Sequence, residues 1–373
     1  MRIALFTECY RPIQNGVVAA VDALSDALRA DGHEVLCVTP AMPGYRETDA
    51  SVVRVPSLPL PTSTAYRLTL PLLPRRVARL LRRPSIVHAH SPFVTGWLGL
   101  RAARHYGVPL VFTYHTRLED YAHYVPFEAG MTRRAALRLT RTYANAADAV
   151  IVPTPAMERH LRELGVHTRI DIVPSGIDVG FFASGRRRDD LRARFGVGPG
   201  EQMVLCVGRL GKEKNLELAI ETIAALNDPR VRLAVVGDGP HRVLLREAAS
   251  RVGAAGRVHF ALELPRSELP DAYASADAFL FTSVSETQGL VLAEALAAGL
   301  PVVAVDTPQT RDVLSGAGTV VPGDPVALGR ALVAALADGT GRDPGAAWRF
   351  ERALLARRII ATYESLPQAA AAG

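Results

Sequence analysis

The chain has almost no lysine. Of its 43 basic residues only Lys212 and Lys214 are lysines, and they stand two positions apart. Arginine has replaced lysine wherever either serves, so the retained pair points to a site that wants a compact ammonium rather than a planar fork. Cysteine is nearly as scarce: Cys9, Cys37 and Cys206 are scattered, odd in number and without metal spacing. That pattern argues against a disulfide framework and for a reduced, cytoplasmic compartment. No G-x-G-x-x-G follows a strand, against a dinucleotide-dependent oxidoreductase, and no G-x-S-x-G elbow marks a serine hydrolase. With neither H-E-x-x-H nor Asp-x-Asp present, no metal is expected. No apolar run reaches the length of a membrane span and no signal peptide precedes the strand expected at Arg2. The expectation is a cytoplasmic protein, held on a membrane only at its surface, with no nucleic-acid partner.

Hydrophobic residues make up 49% of the 373, enough for a core in each of two domains of ordinary size. The pattern predicts a buried first strand at Arg2–Phe6, then a helix with Val17, Val21, Leu24 and Leu28 at helical spacing, ended by Gly32. Strand signals return at Glu34–Val38, Val52–Val55, Ile86–Ala89, Leu110–Tyr114, Ala149–Val152 and Ile170–Val173. A second series runs through Met203–Val207, Val231–Val236, Val258–Phe260, Ala278–Phe281, Val302–Val305 and Thr319–Val321. Helix-like segments between strands predict an α/β protein of two Rossmann-like, doubly wound parallel sheets, with ligands in a cleft between their carboxyl ends. The expected units are 1–178 and 179–347, with a final helical segment, 348–373, beginning at about Trp348.

The stretch from Ser285 to Ala295 carries the chemistry. An apolar run, Ala278–Phe281, gives way to a polar turn with Gly289, and a helix is predicted from Leu290 to Ala298. Backbone N–H groups at such a helix start face out from the sheet edge and attract phosphate. Glu286 and Glu294 bracket it. Carboxylates repel phosphate, so their task is to accept hydrogen bonds from neutral hydroxyls on either side of one. A phosphate flanked by hydroxyl-bearing groups describes a nucleotide-sugar; the plainer alternative is a capped, solvated helix start. Gly208 to Asn215 follows the first strand of the second domain, and there Arg209 and Lys214 offer two cations to a pyrophosphate. A merely solvated basic loop is disfavoured at a helix start by the dipole. Gly237, in Val235 to Pro240, sits in another strand-end glycine loop. In the first domain His88, His90 and His115 stand at predicted strand ends, and His88 reads as a packing residue.

Together these residues resemble the GT-B glycosyltransferases of family 4, retaining enzymes that use nucleotide-sugars. The resemblance runs over nearly the whole chain. It rests on Asn15-Gly16-Val17, on Phe112 to Thr116, on Gly208-Arg209 with Glu213-Lys214-Asn215, and on the E-x7-E pair Glu286 and Glu294. It implies a GT-B fold, no cofactor and no required metal. In the implied donor site Arg209 and Lys214 hold the diphosphate, Glu294 takes the ribose hydroxyls and Glu286 contacts the sugar. Thr287, Gln288, Gly289 and Leu290 approach sugar and phosphate, Gly237 joins the donor-binding set, Gly16 leaves room at the diphosphate and His115 lies beside the sugar's C6 side. Catalysis is then expected to rest on His115, Glu286, Arg209 and Lys214. The final helix, with Trp348 and Phe350 near its start, is implied to cross back to the first domain. Two departures stand out: Ala261 to Leu264 where the family has a glycine at the base, and Asn15-Gly16 where it has paired glycines. Tyr114 to Tyr124 looks like the branch that glycosylates diacylglycerol, with mannosyltransferases as the near alternative.

The resulting expectation is a retaining hexosyltransferase moving glucose or galactose from UDP, or mannose from GDP, to a glycan or lipid hydroxyl, foremost a membrane glycolipid or diacylglycerol. A soluble acceptor, a GT-B epimerase and a binding module without turnover are the alternatives. An epimerase needs acid and base residues around the sugar that the sequence does not declare. The segment from Tyr66 to Arg83 is expected to meet anionic membrane. A helical wheel puts Arg75, Arg76, Arg79, Arg82 and Arg83 on one face and Val77, Leu80 and Leu81 opposite, after an apolar loop with Leu68, Leu70, Leu72 and Leu73. The alternative there is an apolar face packed on the sheet under solvated arginines.

Overall fold

A computed structural model describes residues 1–60, 63–72, 74–124, 128–338 and 343–367, without the side chains of 63–65, 75–76, 123–124 and 344. The chain divides into two compact units: Met1–Gly176 with Arg352–Gly373, and Ile177–Glu351.

The first unit holds a seven-stranded parallel sheet made of β1 (Arg2–Phe6), β2 (Glu34–Pro40), β3 (Val52–Val55), β6 (Ile86–Ala89), β7 (Leu110–Thr113), β8 (Ala149–Val152) and β9 (Ile170–Ile172). An antiparallel hairpin, β4 (Ser57–Leu60) with β5 (Ser63–Thr69), lies between β3 and β6 in the chain. The sheet order β3-β2-β1-β6-β7-β8-β9 changes direction beside β1. β6, β7 and β8 are buried throughout, as strands covered on both faces require. Phe6, Val38, Val87, Phe112 and Val150 serve one face, and Ile3, Leu5, Cys37, Val111 and Ile151 the other. Asn15 opens the first helix, Gly16–Ala30, by accepting the Val18 N–H at 2.9 Å.

The second unit carries β10 (Gln202–Val207), β11 (Val231–Val236), β12 (Val258–Ala261), β13 (Ala278–Phe281), β14 (Val302–Val305) and β15 (Thr319–Val321). Their order, β12-β11-β10-β13-β14-β15, is the doubly wound Rossmann order. The order reverses between β10 and β13, so the loops leaving those two strands flank the crevice where such sheets take ligands.

The last helix is Arg352–Ser365, beginning four residues after Trp348; Trp348 and Phe350 belong to a 3-10 turn, Pro344–Phe350, in the second unit. Leu355, Ile359 and Tyr363 pack with Ile3, Leu5 and Leu28 of the first unit. Tyr363 and His88 are bonded through Oη and Nδ1 at 2.7 Å, and the other His88 nitrogen meets Thr113 Oγ1 at 2.6 Å. His88 is thus a satisfied packing residue that ties the helix to the sheet. The unit boundaries fall at Gly176/Ile177 and Glu351/Arg352 rather than after 178 and 347. All three cysteines are free and buried, and burial pushes the Cys37 and Cys206 thiols up to about 12.

The segment 66–83 departs from the wheel. Its helix is only Arg75–Leu81, so Arg82 and Arg83 lie beyond it, both with left-handed backbone. Val77 and Leu81 enter the core, whereas Leu80 is exposed beside Arg79. Leu68 is not in a loop: it is in β5, paired with Leu58 across the hairpin, and both are exposed. Leu73 and the side chains of Arg75 and Arg76 lie outside the described residues.

Candidate active site

In the second unit the predicted cations and the E-x7-E turn are brought together by hydrogen bonds from the end of β13. Thr282 Oγ1 donates to the carbonyl of Lys214 at 3.0 Å, and Ser283 Oγ donates to that of Glu213 at 3.1 Å. These bonds hold the 3-10 turn Lys212–Lys214, which follows β10, against the stretch leading to Glu286. A pocket of about 20 Å³ lies there, lined by Gly208, Arg209, Lys214, Thr282 and Ser283. It sits where the strand order reverses.

Each cation has a carboxylate neighbour. Arg209 Nη2 donates to Glu213 Oε1 at 2.8 Å, and Glu213 is almost wholly buried while the guanidinium is partly exposed. Lys214 Nζ donates to Glu286 Oε1, so the proposed phosphate ligand and the proposed sugar ligand meet directly. The Lys214–Glu286 pair is partly screened from solvent, with 22% and 17% of the two side chains exposed.

Gly289 has a φ of +80 and caps the helix Leu290–Ala297; a Cβ on it would stand 3.1 Å from the Phe281 ring. Only glycine meets both demands. Gly237 is accounted for differently. A Cβ there would lie 2.1 Å from the Gly208 carbonyl oxygen, so this glycine lets the β11 loop press on the β10 loop. Gln288 is buried, and Thr287 and Leu290 are partly so. Glu294, in the second turn of that helix, is 9% exposed and accepts a 2.6 Å hydrogen bond from Tyr273 through Oε2. Burial pushes its carboxyl above the usual range, against the Tyr273 bond and the Arg266 charge, which lower it.

In the first unit Gly16 is exposed at the first turn of its helix. His115 follows β7, partly buried, with Nε2 at 2.9 Å from His90 Nδ1 and the two rings stacked at 5.2 Å. His90 in turn lies 4.2 Å from the His88 ring. Burial pushes His88 down to about 3 and His115 to about 4, and holds His90 well below the histidine range. At pH 7 the array is therefore neutral. His115 can offer a hydrogen bond but no charge, and one of the paired nitrogens carries the shared proton.

Known proteins match the chain along most of its length. The model for Glycosyltransferase Family 4 covers residues 14–181, and that for Glycosyl transferases group 1 covers 187–344. An alpha-monoglucosyldiacylglycerol synthase of Acholeplasma laidlawii is 32% identical over 81% of this chain and 80% of its own. The chain belongs to glycosyltransferase family 4. This family 4 hexosyltransferase is also 35% identical to a GDP-mannose-dependent alpha-mannosyltransferase of Mycobacterium tuberculosis, over 84% of this chain and 82% of the other. Its fold matches that of Anabaena HepE in complex with UDP-glucose, with a TM-score of 0.78 at 21% identity, over 98% of this chain and all of that one. The architecture is GT-B.

Sequence reasoning about the enzyme missed Tyr273 and His90 as partners of Glu294 and His115. Tyr273 lies 21 residues from Glu294 and His90 lies 25 from His115, so no local spacing announces either pair. Among the described residues no cluster of three or more histidine, cysteine or acidic side chains is arranged to hold a metal, and no helix is long and apolar enough to cross a membrane.

Proposed function

We propose that the enzyme moves a hexose from a nucleotide-sugar, UDP-glucose, UDP-galactose or GDP-mannose, to a hydroxyl of a membrane lipid or glycolipid such as diacylglycerol, with retention of configuration. The observation that carries this reading is the gathering of Arg209, Lys214 and Glu286 at the strand-order reversal of the second unit, beside the start of the helix bearing Glu294. Two fixed cations and a helix start suit a leaving diphosphate, and two carboxylates suit the hydroxyls on either side of it. Arg209 and Lys214 take the diphosphate, Glu286 the sugar and Glu294 the ribose, with the backbone from Thr287 to Leu290 close by. Gly16 and His115 are assigned the diphosphate and the C6 side of the sugar on the family resemblance, and a neutral His115 suits a hydroxyl there. The relatives named for diacylglycerol and GDP-mannose bracket the donor and acceptor classes. A panel of nucleotide-sugars tests the reading: one UDP- or GDP-hexose should raise the melting temperature and release its diphosphate. Stabilisation by none of them would overturn it.

The lipid acceptor predicts contact with an anionic bilayer. Leu68, Leu72 and Leu80 are exposed apolar side chains in the segment that also exposes Arg79, Arg82 and Arg83, and Leu58, paired with Leu68 across the hairpin, is exposed too. Each arginine near an anionic surface contributes about 1 kcal/mol, screened by salt. Flotation with liposomes should therefore increase with anionic lipid and decrease with ionic strength. Replacing Arg79, Arg82 and Arg83 by glutamine should weaken it and leave donor hydrolysis intact. Failure of the unmutated enzyme to float at low salt would redirect the search to soluble acceptors.

A further inference from the structure

We propose that Tyr273 is the positioning residue of the donor site: by holding Oε2 of Glu294 it turns the opposite oxygen, Oε1, toward a vicinal diol, the ribose of a nucleoside diphosphate. This rests on the reading that Glu294 takes the ribose.

Tyr273 lies in the helix Leu269–Ser275 and has no exposed surface. Its ring is fixed on two sides, edge-on to Phe182 at 5.7 Å and tilted against Phe279 at 5.7 Å. The phenol has one place to point, and there it meets Glu294 Oε2 at 2.6 Å. Among the described residues Oε1 has no hydrogen-bond partner, and 9% of the Glu294 surface stays exposed. One oxygen is thus held by the phenol, and on the proposed reading the other is the one that meets the diol.

A second consequence concerns charge. Putting a carboxylate in a nearly closed site disfavours its ionised form, and an ionised Glu294 is the stronger acceptor for the diol hydroxyls. The groups that oppose protonation are Tyr273, from its helix, and Arg266, from the 3-10 turn Arg266–Glu268 before that helix. Of the two, Tyr273 touches the carboxylate directly. Without the phenol the carboxyl would hold its proton to higher pH, and the side chain would lose its fixed orientation.

Tyr273→Phe keeps both ring contacts and removes only the hydroxyl. It should raise the donor KM about tenfold, the loss of one hydrogen bond to a charged group, while leaving kcat within about twofold. The KM should also become pH-dependent, improving as pH rises through the elevated carboxyl value. Affinity for a 2′,3′-dideoxynucleoside diphosphate should not change, which a general loosening of the core would not reproduce. Glu294→Gln provides the control. If it weakens the nucleoside diphosphate but not the dideoxy analogue, while Tyr273→Phe leaves KM and its pH profile untouched, the ribose reading stands and the positioning proposal fails. If Glu294→Gln treats both nucleotides alike, the ribose reading itself fails. Should Tyr273→Phe not fold, 3-fluorotyrosine at 273 keeps the shape and changes only the acidity of the hydroxyl. It should shift the donor KM, and an unchanged KM would overturn the proposal.

Discussion

Arg209→Ala and Lys214→Ala should each lower kcat by roughly 10² or more, because on the proposed reading each removes a cation that meets the charge gained by the leaving diphosphate. Preorganised charge of this kind does not need to reorganise during reaction, which is why its loss appears in kcat as well as in KM. The two variants should differ in stability. Glu213 is buried and accepts from Arg209, so Arg209→Ala also removes a partner from a buried carboxylate and should lower the melting temperature. Lys214 pairs with a more exposed carboxylate, and its loss should leave melting nearly unchanged. Rates are therefore compared well below the melting point of Arg209→Ala. Near-normal kcat in both variants would remove the diphosphate from this loop.

The second large effect is a coupling. Because Lys214 donates to Glu286, Lys214→Ala does two things at once: it removes a cation and unmasks a carboxylate beside the proposed diphosphate position. Glu286→Gln removes that repulsion in advance. Lys214→Ala should accordingly cost less in a Glu286→Gln background than in the wild type, with a coupling of about 1–2 kcal/mol in kcat/KM. Glu286→Gln alone should act mainly on kcat, since its proposed partner is the sugar whose charge changes. Glu294→Gln should act mainly on donor affinity, since ribose is remote from the reacting bond. Strict additivity of Lys214→Ala and Glu286→Gln would show that the pair is a feature of the free enzyme with no part in the donor complex.

The two wound sheets were legible because their strands are short, mostly apolar and punctuated by turn residues, and β1, β3, β6 and β8 begin and end where the sequence pattern places them. The hairpin β4–β5 was not. Pro56, Pro59 and Pro61 in that stretch of sequence argue against a sheet, and no strand was expected between Val55 and Ile86. Leu80 was misplaced because a seven-residue helix gives a wheel too few turns to separate its faces. Arg209, Lys214, Glu286 and Glu294 were proposed from their types and spacing. What spacing could not supply was who holds whom. Lys214 and Glu286 are 72 residues apart, the Tyr273–Glu294 contact joins two helices, and the His90–His115 contact joins the ends of two strands. Nor could spacing show that the loop of Gly237 is pressed against the carbonyl of Gly208.

The most direct test follows the reaction itself. The enzyme is mixed with UDP-glucose, UDP-galactose or GDP-mannose and diacylglycerol in anionic vesicles, with EDTA present, and the anomeric proton is followed by NMR. Fixed cations at the diphosphate and same-face attack predict release of the nucleoside diphosphate despite the chelator, with the product's anomeric configuration matching the donor's. An inverted product, or turnover that stops with EDTA and returns with magnesium or manganese, would contradict the account.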